Sequence, residues 1–158
     1  MTTHSIPRAI ADLSAGLILA TVDIEATPER VFKALSSDEI AHWWGDPRMY
    51  RTTAWTADLR VGGTWRADGQ SADGSAFSVS GEYLEIDPPR RLVQTWKPDW
   101  APGPATRVAY ILEAVGNGTR VTVRHDGFTD RDSCQSHTSG WERVLQWLAT
   151  WCHAGAPA

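Results

Sequence analysis

Three polar side chains stand where they could do chemistry: His125, Tyr110 and Gln94. Each lies in a run that alternates along a strand. His125 shares a face with Val121 and Val123, Tyr110 with Val108 and Leu112, and Gln94 with Leu92 and Trp96. A histidine so placed serves as a general base or orients a polar ligand group. The plainer role is a neutral, hydrogen-bonded core residue. Tyr110 and Gln94 read as polar anchors on a pocket wall. His137 precedes Trp141 by four residues, on one side of a helix. If it met His125 beside Asp126, Asp130 or Asp132, a metal site could be drawn. No His-x-x-x-His or Cys-x-x-Cys spacing supports one, so no metal or other cofactor is expected. Gly74-Ser75 and Ser139-Gly140 do not match the strained turn of a serine nucleophile. The Gly62-Gly63 pair lacks the Lys and the strand-to-helix context of a phosphate loop. No catalytic set is recognised.

Nine tryptophans in 158 residues are the compositional anomaly. So much indole implies a large aromatic core, a lined cavity, or both. Trp55, Trp65, Trp96 and Trp141 are the candidates for ligand contact, with Trp44 beside them, because ligand pockets are mostly apolar and aromatic.

The elements that would position these residues follow from the pattern. Residues 17–25 alternate as a first strand. Thr27-Pro28-Glu29 supplies an N-cap, a proline at the first helical position and an acid in the first turn, so a short helix runs to about Leu35. Ser37 or Asp38 caps a second short helix through Trp43, ended by Gly45 and Pro47. A meander follows, with strands over 52–59, 64–67, 77–86, 91–97, 107–115 and 119–125. In its first strand Trp55, Ala57 and Leu59 share a register. Gly116-Asn117-Gly118 is the strongest hairpin signal. Gly62, Gly63 and Gly81 would permit sheet curvature. From about Asp130 to His153 the pattern is one long helix with the apolar stripe Trp141, Val144, Leu145, Leu148 and Cys152, terminated by Gly155 and Pro157. Consecutive strands with short links make an antiparallel sheet, and only the final helix is large enough to cover one face.

The length fits one domain: a flexible tail over 1–15 and a single domain over 16–154. Lys plus Arg is 15 against 19 Asp plus Glu, a formal net charge of −4, which argues against a general nucleic-acid binder. Residues 1–15 lack the basic start and apolar run of a signal peptide, and 16–22 is too short to span a membrane. A cytoplasmic protein is expected. Cys134 and Cys152 fall on one predicted helix, roughly 27 Å apart at about 1.5 Å per residue, too far to pair.

Five segments, in order, resemble a known family. They are residues 27–35 (TPERVFKAL), 42–45 (HWWG), 58–65 (DLRVGGTW), 85–93 (EIDPPRRLV) running on to Thr95-Trp96, and 125–128 (HDGF) with the later Gly140-Trp141. They are similar to the SRPBCC superfamily, also called START-like or helix-grip domains. The branch they resemble is that named for the C-terminal domain of the activator of the heat-shock-protein-ninety ATPase. The resemblance implies an α+β helix-grip fold: a curved antiparallel sheet wrapped around a long C-terminal helix, with two short helices after the first strand. It implies a cavity between sheet and helix.

The function expected is binding of a small apolar or aromatic ligand, as a carrier or sensor. Its contacts would be Trp44, Trp55, Trp65, Gln94, Trp96, Tyr110, His125 and Trp141. One alternative is a co-chaperone-like interaction module with a chaperone as partner. Another is a small cyclase or hydrolase-type enzyme using His125 or Tyr110 as acid or base. The expected assembly is a monomer or homodimer, without nucleic acid and without membrane insertion.

Overall fold

The computed structural model describes residues 5–101 and 103–153. The chain runs β1 (Arg8–Asp12), β2 (Leu17–Ile24), α1 (Pro28–Ser36), α2 (Ile40–Trp43), β3 (Gly45–Asp46), β4 (Tyr50–Ala57), β5 (Thr64–Ser71), β6 (Ala76–Asp87), β7 (Arg91–Pro98), β8 (Thr106–Val115), β9 (Gly118–Asp126) and α3 (Arg131–His153). The nine strands form one sheet in the order β1-β2-β9-β8-β7-β6-β5-β4-β3, every pairing antiparallel. The fold is α+β, as expected, with α3 against one face.

Local chemistry accounts for the elements. Thr27 Oγ1 accepts from the Arg30 backbone N–H, and Pro28 opens α1. The stripe on α3 is buried as its period requires: Trp141, Val144, Leu145, Leu148 and Cys152 all face inward. Both cysteines are free and buried on this helix. Gly155 and Pro157, expected to stop it, lie outside the described residues.

Several expectations need correction. Residues 8–12, read as part of a loose tail, form the edge strand β1, paired to β2. Its outward N–H at Ala9 donates to Glu142 on α3 at 3.1 Å, so the helix shields that edge. Leu59 leaves the register of Trp55 because β4 ends at Ala57; it is 45% exposed in the turn that follows. Neither Ser37 nor Asp38 caps α2 in the way expected. Glu39 takes the N-cap position without a side-chain cap, and Ser37 Oγ accepts from the Glu39 N–H. β5 extends to Ser71, through Gly69.

The sheet's curvature makes the site. α3 lies against β1 and β2 at one end, and the sheet curls away from it towards β4. Register shifts in β4 at Thr52/Ala54 and in β6 at Tyr83/Glu85 sharpen the bend. Gly81 lets β6 approach β7 closely: a Cβ there would stand 2.0 Å from the Thr95 carbonyl oxygen. No helix among the described residues is long and apolar enough to cross a membrane.

Candidate functional site

A cavity of about 480 Å³ opens between the concave sheet and α3. Its size is that of a small-molecule site. Trp44, Trp55, Trp65, Gln94, Trp96, Tyr110 and Trp141, seven of the eight residues singled out from sequence, line it.

The tryptophans form a continuous wall. Trp96 packs against Trp44, Trp65 and Trp141 at ring separations of 5.8, 5.5 and 6.0 Å. Their indole N–H groups are satisfied within the protein. Trp65 donates to the Thr95 carbonyl (3.2 Å), Trp44 to the Tyr50 hydroxyl (3.3 Å), Trp96 to His137 Nε2 (3.3 Å) and Trp141 to His125 Nδ1 (3.0 Å). With those donors engaged, the wall is left to interact mainly through apolar ring surface.

His125 is not on that wall. It is fully buried behind Trp141, its ring 4.4 Å from that of Phe128. Because an indole N–H only donates, His125 Nδ1 accepts, and the ring proton sits on Nε2. That proton faces Thr106 Oγ1 at 2.6 Å, and Thr106 in turn donates to the Trp96 carbonyl. His137 takes the opposite tautomer: Nε2 accepts from Trp96, and Nδ1 donates to the Ser133 carbonyl at 2.8 Å. Burial lowers the pKa of both rings, His125 the more strongly, with a further lowering of His125 by His137 beside it. The two rings do approach, 5.4 Å apart, but all four nitrogens are engaged within the protein.

The polar features of the cavity lie on the sheet. Tyr83 on β6 and Gln94 on β7 are direct cross-strand partners; Tyr110 on β8 is the diagonal neighbour of Gln94. They are 1%, 6% and 2% exposed, and all three line the cavity. None of their side-chain polar groups has a hydrogen-bond partner among the described residues. Burial pushes the Tyr83 hydroxyl up to about 12 and Tyr110 further still, with Tyr83 adding to the rise at Tyr110. Both phenols are neutral, with a proton to donate. Tyr83 was missed in the sequence, although it continues the inward alternation of Phe77, Val79 and Gly81. At the rim stand Tyr50, Phe77 and Trp100, with Phe77 edge-on to both other rings at 5.5 and 5.4 Å.

The family is decided by a match that spans most of the chain. The chain belongs to the family described as Activator of Hsp90 ATPase homolog 1-like protein, within the SRPBCC superfamily. The match covers residues 25–152. No curated protein matches the chain. Solved structures share its architecture. A protein from Rhodobacter sphaeroides is 21% identical, with a TM-score of 0.81 over 95% of this chain and 99% of that one. Protein CV1439 from Chromobacterium violaceum is 24% identical, with a TM-score of 0.76 over 87% of this chain and 97% of that one. Ms6760 from Mycobacterium smegmatis is 19% identical, with a TM-score of 0.75 over 99% and 97%. At these identities the likeness is one of fold.

Proposed function

We propose that this family member is a binding domain for a small, largely apolar ligand held in the cavity between sheet and α3. The observation that carries the reading is the group Tyr83, Gln94 and Tyr110. Three polar side chains more than nine-tenths buried face an aromatic cavity without a protein partner among the described residues. A few polar groups turned into an otherwise apolar cavity are what fixes a guest's orientation. Such a cluster fits a place where a guest supplies the missing hydrogen bonds. The tryptophan wall supplies apolar contact and adds no free indole donor from Trp44, Trp65, Trp96 or Trp141.

Native mass spectrometry of freshly purified protein tests this, with the same sample then denatured. The expected result is an added mass that disappears on denaturation. A clean apo mass, together with unchanged tryptophan fluorescence across a panel of apolar aromatic compounds, would overturn the proposal.

A further inference from the structure

We propose that the cavity selects ligands whose buried end is an uncharged oxygen group, a phenol or ketone on an aromatic body, and discriminates against carboxylates. This rests on the cavity being a ligand site and goes further by naming the chemistry of its occupant.

The argument is one of donors and charges. Two phenolic O–H groups and one carboxamide offer four donor hydrogens and their lone pairs at adjoining positions of β6, β7 and β8. That set suits a neutral oxygen, which both accepts and, as a phenol, donates. It holds no cation. The two carboxylates among the described lining residues are Asp68 and Asp99, and the one guanidinium is Arg143, exposed on α3. His137 also borders the cavity, but its lone pair and its proton are both used within the protein, and burial holds it neutral. A carboxylate pushed down to Tyr83 and Tyr110 would therefore be desolvated without a counter-charge, which is costly. A neutral oxygen in the same place accepts from those donors without that charge penalty.

Three probes with one carbon skeleton separate the possibilities at pH 7: naphthalene, 2-naphthol (neutral) and 2-naphthoate (anionic). Isothermal titration calorimetry should give 2-naphthol an affinity about tenfold above both others, the equivalent of one good hydrogen-bonding site. Tyr110→Phe and Tyr83→Phe should each reduce 2-naphthol binding several-fold and leave naphthalene unchanged. Because only an unpartnered hydroxyl is removed, both variants should fold, and an unchanged unfolding temperature checks that. Equal affinity for naphthalene and 2-naphthol would overturn the inference while leaving the cavity reading intact. So would 2-naphthoate binding as tightly as 2-naphthol. If that binding vanished in Arg143→Ala, the oxygen end would lie at the mouth. Failure of all three probes to bind would sink the cavity reading and the inference with it.

Discussion

Trp141 on α3 donates its indole N–H to Nδ1 of His125 on β9 across 3.0 Å, which ties the final helix to the sheet behind the cavity wall. The bond requires a neutral imidazole. Protonation would place a hydrogen on each ring nitrogen, and two donors would then face each other.

A pH dependence of stability follows from that requirement. His125 and His137 are both held below the ordinary histidine value of 6.5, chiefly by burial. In the unfolded chain both titrate near that value, so below it the unfolded state binds more protons than the folded one. Stability is whole above about pH 6.5 and falls as the pH drops, by roughly 1.4 kcal/mol per pH unit for each histidine until its folded pKa is reached. Urea unfolding at pH 7.5, 6.5 and 5.5 should show the decline before the carboxylates titrate. His137→Gln should make the slope shallower. A flat profile over that range would contradict the neutral pair.

Trp141→Phe keeps an aromatic wall but leaves His125 Nδ1 buried and unpaired. The expected loss is about 1–3 kcal/mol in urea unfolding, beyond what the smaller ring costs. Because the two residues share one bond, His125→Phe combined with Trp141→Phe should cost less than the sum of the singles. Strict additivity would mean that the bond contributes nothing.

The contrast between His125 and Tyr83 shows what was legible in the sequence. Alternation correctly put His125 on the inner face with Val121 and Val123, as it did Gln94 and Tyr110. It says which face a side chain takes, not what lies above it. The indole of Trp141 covers His125, and no strand pattern carries that information. Tyr83 keeps the inward alternation, but Gly81 before it and the register shift after it leave it without large inward neighbours on its own strand to mark it out. The edge strand β1 was lost for a different reason. Its five residues RAIAD have weak strand propensity, and Ala9 is its one half-buried side chain. The turn at Gly116-Asn117 was plain, because its chemistry is local: Gly116 takes φ 58° between β8 and β9.

Glu39 joins the three helices. Its Oε1 accepts from Arg30 Nη1 on α1 and from the Trp151 indole on α3, both at 2.8 Å, at the entrance to α2. Glu39→Ala leaves the Arg30 guanidinium mostly buried without its partner, and should cost about 3 kcal/mol. Arg30→Met with Glu39→Met should be far milder, because no charge is then stranded. Chemical denaturation of the two variants compares them directly. An equal loss in both would show that the site acts by packing alone.

Cys134 and Cys152 are both buried, and burial raises both thiols, Cys152 to about 11. Little thiolate forms at pH 8, and reagent has poor access. A disulfide-exchange reagent should release almost no colour from the native protein and two equivalents after denaturation. Rapid reaction of one thiol in the native state would mean that α3 opens at that end.

Two glycines of the sheet separate backbone from side-chain crowding. At Gly69 an added Cβ would meet the Phe77 ring at 2.2 Å, whereas at Gly81 it would meet the Thr95 carbonyl oxygen at 2.0 Å and the Trp65 indole nitrogen at 2.7 Å. A ring can rotate away; a carbonyl inside a paired strand cannot move without its ladder. Gly81→Ala should therefore lose more than about 3 kcal/mol or fail to fold, since it forces β6 and β7 apart where the sheet bends. Gly69→Ala should lose about 1–2 kcal/mol, the usual cost of modest overpacking. Its more telling effect is on the cavity, because Phe77 stands at the rim beside Trp100. Thermal unfolding ranks the two variants, and the rate of entry of a fluorescent apolar probe reports the rim. If Gly81→Ala were as stable as the parent, the close approach of β6 to β7 would not be what curves the sheet around the cavity.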